Sequence, residues 1–225
     1  MSALTLDKSD HIYTLSLNDL ATDNTYTDDV LDEYFSYLDE IEASSENASL
    51  VVTSSHPKTW CNGINLNWFI NQTPDEQLKL INNMERLYLR LATLNLPTVG
   101  CITGNVYAGG AIMACTMDFR YMRLDRGRFC FSEVDVKLPF SPVMIETIKL
   151  LPNRQALNEL ALTGVRWGGE ECLSKQVVDG AFPENELFEK CMEKAQILAT
   201  KDRNTYTTIK HRLRKEVLAL KDAHL

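Results

Sequence analysis

The chain has 225 residues, 44% of them hydrophobic, and its 31 acidic side chains outnumber 23 basic ones for a net charge of -8. That length and apolar fraction suffice for one sizeable core, and the acidic balance removes a nucleic-acid backbone or an anionic lipid surface from the main partners. No run approaches the roughly 20 apolar residues of a membrane span, and the start, MSALTLDKSD, lacks the charged-then-apolar layout of a signal peptide.

The segment HIYTLSLND has strand character, and TDDVLDEYFSYLDEIEAS then places Val30, Leu31, Tyr34, Phe35, Leu38 and Ile41 on one helical face. SLVVTSS reads as a short buried strand, followed by a loop, HPKTWCNGINLNWF. Thr73, Pro74 and Glu76 supply an N-cap, a first-position proline and a capping-box glutamate. The helix they open carries Leu80, Ile81, Met84, Leu87, Tyr88 and Leu91. LPTVGCIT reads as a second buried strand and GGAIMACTM as a short helix. DFRYMR and RFCFSEVDV read as strands on either side of the turn LDRG. From Ser141 the pattern is mainly helical: SPVMIETIKLL, NRQALNELALTG, GGEECLSKQ, a short VVDGAF, then ENELFEKCMEKAQILAT and a basic tail. Strand and helix alternate, which predicts an α/β fold with largely parallel strands. The domain core is expected over residues 1–182, with 183–225 as a C-terminal helical extension of the same domain.

Cys61, Cys101, Cys115, Cys130, Cys172 and Cys191 are scattered, mostly within apolar segments, and form no C-x-x-C pair. This suits reduced core thiols rather than disulfides or zinc. The four histidines have no metal-ligand spacing, so no metal is expected.

Asn62-Gly63-Ile64-Asn65 follows a buried strand, where glycine lets the backbone turn and lets a ligand approach it. The same letters suit a plain turn; in the functional alternative, the N–H of Ile64 points into a pocket. Gly109-Gly110 opens a helix whose first N–H groups have no partner within it. The stretch NVYAGGA does not fit a G-x-G-x-x-G dinucleotide loop, and close helix-strand packing is the competing explanation of the pair. Two donors on separate loops can together hold an oxyanion. A third element is Ser132-Glu133-Val134-Asp135 after the apolar RFCF, where burial would raise the pKa of Glu133 toward that of a general base. A solvated strand end is the alternative. Asp135 shares a face with Glu133 on a straight strand, and a bend would separate them.

KTWCNGINL, CITGNVYAGGAIMACTMDFRYM and FSEVDVKLP, in that order and spacing, resemble the enoyl-CoA hydratase/isomerase (crotonase) superfamily. The spacing from the glycine pair through Asp118 to Glu133 is most similar to the short 3-enoyl-CoA to 2-enoyl-CoA isomerases. The resemblance runs from the first strand to VVDGAF. It implies a crotonase-like spiral of ββα units, an acyl-CoA thioester as substrate with no separate cofactor, and a homotrimer or dimer of trimers. It also implies the main-chain N–H groups of Ile64 and Gly109 as an oxyanion hole and Glu133 as the catalytic acid/base. Cys61, Asn62, Gly63, Asn65, Leu66, Gly110 and Ile112 are then expected around the substrate. Asn65 departs from the aspartate usual at its position.

The hydratase subgroup takes a second carboxylate from the first turn of the glycine helix, and that position here is Ile112. An apolar residue neither holds water nor moves a proton, so one base, shifting a double bond, fits better than two carboxylates adding water. Glu146 is a second, less favoured base. The alternatives are another crotonase reaction (hydration, thioester hydrolysis or decarboxylation) or a non-catalytic acyl-CoA-binding homologue. Lys58 and the tail KHRLRKEVLALK are candidates for the CoA phosphates, against an ordinary solvated surface. A cytoplasmic location is favoured, with a peroxisomal alternative because Ala223-His224-Leu225 loosely resembles a peroxisomal address.

Overall fold

The computed structural model describes residues 2–224, with the side chains of Ala223 and His224 excepted, so the reading of Ala223-His224-Leu225 lies outside the described residues. The chain opens with strands β1 (Leu4–Ser9) and β2 (Ile12–Leu17) and helix α1 (Asp28–Ala43). Next come β3 (Ser49–Ser54), β4 (Thr59–Cys61), α2 (Leu66–Phe69) and α3 (Pro74–Ala92). The centre comprises β5 (Thr98–Ile102), β6 (Asn105–Tyr107), α4 (Gly109–Thr116), β7 (Phe119–Arg123), β8 (Phe129–Cys130) and α5 (Glu133–Val136). It continues through α6 (Pro142–Ile148), α7 (Arg154–Thr163), α8 (Gly169–Ser174) and β9 (Gly180–Phe182). The last helices are α9 (Glu184–Ala199), α10 (Arg203–Leu213) and α11 (Lys215–His224).

Among the described residues, β1-β2-β3-β5-β7-β9 form one sheet and β4-β6-β8 a second, smaller one. Only β1 is antiparallel to its neighbour; every other pair is parallel. Each of three successive turns of chain gives its first strand to the large sheet (β3, β5, β7), its second to the small one (β4, β6, β8), and then helix. This is the spiral of ββα units. β3 and β5 are buried at every position, as parallel strands covered on both faces must be. Alternation along the strand divides the core. Leu50 and Val52 of β3 face the layer containing Leu38, Leu87 and Met113. Val51, with Val99 and Cys101 of β5, packs against Leu187, Cys191 and Ala195 of α9. All six cysteines are free and buried.

The local end signals form as the sequence implies. Thr73 and Glu76 close a reciprocal capping box at α3, and Pro74 lies at its start. Asn153 caps α7, which ends on Gly164 in the left-handed region. Three expectations need correction. The loop HPKTWCNGINLNWF holds β4 and α2. The strand RFCFSEVDV ends at Cys130, and Glu133–Val136 winds into one helical turn closed by Lys137 at φ 60°. Pairing with β6 stops at Cys130, so the ladder has nothing to hold the chain extended beyond it. That bend separates Asp135 from Glu133.

The third correction concerns the basic tail. Lys210 and Arg214 turn inward onto Asp118 at 2.7 and 2.9 Å. Lys210 also donates to the Leu96 carbonyl at 2.7 Å, and Arg214 to those of Ala92 and Thr116 at 2.7 and 2.8 Å. The two cations thus satisfy carbonyls at the ends of α3 and α4 and in the connection from α3 to β5 and cannot serve as free phosphate ligands, while Arg212 and Lys215 of the same tail stay exposed. Asp118 also accepts from the backbone N–H of Thr98 at 2.9 Å and from Tyr206 Oη at 3.2 Å. Burial alone would push its carboxyl up, but Lys210 and Arg214 outweigh that and hold it below the ordinary range. Arg203 ties α10 to α1 by donating to the Ile41 and Glu46 carbonyls at 2.8 and 2.9 Å. No helix of the described residues is long and apolar enough to cross a membrane.

Removing the carboxylate leaves two buried cations without their counter-charge. Asp118→Ala is therefore expected to cost roughly 3–5 kcal/mol in chemical denaturation, with the folded state's far-UV signal retained. A loss below about 1 kcal/mol, the ceiling usual for solvent-exposed pairs, would show that the cluster does not carry this load.

Candidate active site

The site is built where the small sheet delivers two loops side by side. After β4 the chain turns at Gly63, at φ +75°, which glycine adopts without steric cost. The Tyr26 N–H donates to the Gly63 carbonyl at 2.7 Å, and the Asn65 N–H to the Tyr26 carbonyl at 3.0 Å, an isolated parallel bridge. In that pattern the N–H of Ile64, between them, points away from Tyr26. It donates to no acceptor among the described residues.

After β6 the chain enters α4 through Ala108, at φ 47° and ψ -126°. That conformation costs a residue with a Cβ about 1–3 kcal/mol and persists only where the surroundings enforce it. Ala108 is held by its N–H to the Cys130 carbonyl at 3.0 Å and its own carbonyl accepting from Ile112 at 3.0 Å. It provides no side-chain cap, so the N–H of Gly109, first in the helix, also has no acceptor among the described residues.

The two loops meet backbone to backbone. A Cβ on Gly63 would lie 2.6 Å from the Gly109 nitrogen, and one on Gly110 would lie 2.2 Å from the Cys61 carbonyl oxygen. Close packing, set out above as one explanation of the Gly109-Gly110 pair, is present, and it sets the two N–H groups beside one cavity.

Ile64, Gly109 and Glu133 line one cavity of about 230 Å³, with Asn62, Leu66, Ala108, Ile112, Ser132 and Ser141. Its remaining walls are apolar: Phe69, Ile81, Met84, Val136, Leu138, Pro139 and Met144. Of the expected substrate-contacting residues, Asn62, Leu66 and Ile112 are on this lining and four are not. Cys61 is wholly buried, with its thiol on the Asn24 carbonyl at 3.2 Å. Gly63 and Gly110 are the contact points between the loops. The Asn65 side chain accepts from the Trp68 N–H at 3.0 Å and so caps α2, work an aspartate would do equally. These four shape the walls from behind.

Glu133 begins α5, only 8% exposed, and its Oε2 is buried without a hydrogen-bond partner. Burial pushes its carboxyl up to about 7, opposed only by its own backbone N–H. Asp135 is outside the cavity, 3.9 Å from Arg166. Glu146 is paired with Lys149 and is also off the lining. Lys58 is exposed and does not line the cavity. Among the described residues no three His, Cys, Asp or Glu side chains converge as metal ligands. Sequence reading missed the roles of Ile81, Met84 and Met144, because a stripe of apolar residues reads the same whether it faces a cavity or a filled core.

Residues 7–224 match the family model described as enoyl-CoA hydratase/isomerase. Enoyl-CoA delta isomerase 3 of Arabidopsis thaliana is 27% identical over 229 residues, covering 97% of this chain and 94% of that protein. The peroxisomal enoyl-CoA delta isomerase 2 of the same plant is 27% identical over 190 residues, 81% of this chain and 78% of its own. Among solved structures, an enoyl-CoA hydratase/isomerase family protein of Pseudomonas syringae superposes with a TM-score of 0.90 at 21% identity, covering 99% of this chain and 94% of that one. A probable enoyl-CoA hydratase of Mycobacterium tuberculosis does so at 0.89 and 19%, covering 99% and 92%. At those identities the structures establish the fold.

The contact at Gly110 leaves no room for a methyl group. Gly110→Ala is expected to lower stability by roughly 1–3 kcal/mol, read as a reduced Tm and denaturation midpoint. An unchanged Tm would show that the loops can part without cost.

Proposed function

The chain belongs to the enoyl-CoA hydratase/isomerase family, and from that premise we infer that it moves the double bond of a 3-enoyl-CoA thioester to the 2-position. The observation that carries this reading is the arrangement on one cavity wall. A buried carboxyl with an unpartnered oxygen and two N–H groups without acceptors stand together, and Ile112, at the position where the hydratase resemblance implies a second carboxylate, lines the same cavity. The curated relatives support it, since the two Arabidopsis proteins are named enoyl-CoA delta isomerases.

In this reading the thioester carbonyl accepts from the N–H groups of Ile64 and Gly109. The Glu133 carboxylate removes a proton from C2. The electron pair of that C–H bond spreads over the carbonyl oxygen and the C3–C4 double bond, giving a dienolate. The two donors hold its oxygen, each worth about 2.7–4 kcal/mol in comparable sites. Glu133 then returns the proton to C4, and the C2–C3 double bond forms. No water or second carboxylate takes part, and the apolar lining keeps water from the intermediate. Hydration would need a group at residue 112 that can hold water or exchange a proton, and isoleucine does neither. A homotrimer, which the family resemblance implies, belongs to the same reading and is checked by light scattering.

Two measurements with 3-hexenoyl-CoA test the reading, following formation of the conjugated 2-enoyl thioester beside crotonyl-CoA hydration and thioester cleavage. Glu133→Gln is expected to lower kcat by about 10²–10⁴-fold; an unaffected rate, or hydration as fast as isomerisation, would overturn the mechanism. Glu133 must start ionised, so a carboxyl raised to about 7 makes kcat/KM climb as pH rises through about 7 and level off above it. A profile already flat from pH 5 would mean that another group sets the rate.

A further inference from the structure

We propose that Tyr88 is a positioning residue of this site: its hydroxyl latches the first residue of α4 and so keeps the strained turn at Ala108 aiming the Gly109 N–H into the cavity. The inference rests on the reading that this N–H holds the thioester oxygen.

Tyr88 lies on α3 and is wholly buried, yet it is not simply core. Its Oη donates to the Gly109 carbonyl at 3.1 Å. That carbonyl belongs to the first residue of α4 and already has an acceptor role inside the helix, so the tyrosine is an additional tie from a different element. The approach is close enough that a Cβ at residue 109 would lie 2.7 Å from the hydroxyl. Immediately before this tie sits Ala108 at φ 47° and ψ -126°, a conformation open to glycine and disfavoured for alanine.

Left to itself, Ala108 would relax by rotating the peptide that links it to Gly109. That peptide carries the N–H that faces the cavity. Two other bonds restrain Ala108, its N–H to Cys130 and its carbonyl from Ile112. The second lies on that same peptide, but its donor belongs to α4 and moves with the helix, and the first holds only the near side of Ala108. Tyr88 holds the next peptide, Gly109–Gly110, from outside the helix, and it acts from α3, whose Met84 also forms part of the cavity wall. The latch therefore relates the donor to the wall against which the acyl group would lie. Tyr88 touches no reacting atom in this account; it acts through Gly109.

The test uses Tyr88→Phe, Ala108→Gly and the double variant, with 3-hexenoyl-CoA. Losing one hydrogen bond that orients a donor predicts a fall in kcat of about tenfold in Tyr88→Phe, with KM within about twofold. Glycine needs no latch at residue 108, so adding Ala108→Gly to Tyr88→Phe should return kcat to within about threefold of Ala108→Gly alone. Tyr88→Phe with unchanged kcat, or a loss that Ala108→Gly does not recover, overturns the proposal. If Tyr88→Phe fails to fold, the double variant still decides: glycine at residue 108 needs no latch, so the double variant must fold, and one that also fails to fold overturns the proposal. Should the unaltered protein leave 3-hexenoyl-CoA untouched, the isomerase reading fails separately. The latch is then read from enolate formation by bound acetoacetyl-CoA, which must weaken in Tyr88→Phe; equal enolate in both proteins, or none in either, overturns it.

Discussion

Two stretches of backbone cross at Gly63, Gly109 and Gly110 at distances that no side chain tolerates. Everything about the site follows from that contact. It brings the ends of β4 and β6, neighbours in the small sheet, close enough for their N–H groups to face one small volume. The Gly63 turn and the Ala108 turn present those groups outward, one through a parallel bridge to Tyr26 and the other through a helix start with no side-chain cap. The spiral repeats its strand pair once more, and β8 then sets Glu133 on the same lining. The carboxyl is buried because the neighbouring walls are apolar, and burial is also what raises its pKa. Position and proton affinity have one cause.

Leaving N–H groups and a carboxylate oxygen without partners is costly for a folded chain. At this cavity the N–H groups of Ile64 and Gly109 and Oε2 of Glu133 stand without partners, while the similarly buried Asp118 is surrounded by four donors. The contrast separates a carboxylate whose partners come from the fold from one whose oxygen the fold leaves unpartnered. It also shows why a buried acid is ambiguous until its neighbours are known.

The sequence displays whatever is decided within a few residues. The capping box at Thr73, the glycine end of α7 and the wholly apolar β3 and β5 are local events, and they read correctly. The ordered glycine motifs, Ile112 and Glu133 stand out in the sequence for the same reason, and the fold brings Gly109, Ile112 and Glu133 to one cavity. What fails are features set by distant partners. Strands of three residues such as β4 and β6 exist only because each has a neighbour to pair with. Glu-Val-Asp-Val alternates like a strand, yet the ladder ends before it, leaving Val134 and Val136 exposed on a helical turn. Lys210 and Arg214, one helical turn apart, look like a solvated basic face. Their counter-ion is some ninety residues away in sequence and invisible to any window. Cys61, Gly63, Asn65 and Gly110 belong to the correct loops, but a linear motif cannot tell the lining from what stands behind it.

The Asp118 cluster has a consequence for how the chain comes into being. Synthesis delivers the α4 helix and Asp118 well before Lys210 and Arg214. During that interval the carboxylate has no counter-charge, and the last carbonyls of α3 and α4 have no donors. Water must supply both, which keeps that end of the two helices open. The loops carrying Gly63 and Gly109 can meet early, but the helix behind them gains these partners only when Lys210 and Arg214 arrive. A nascent chain therefore carries all its candidate chemistry before it can hold that chemistry still.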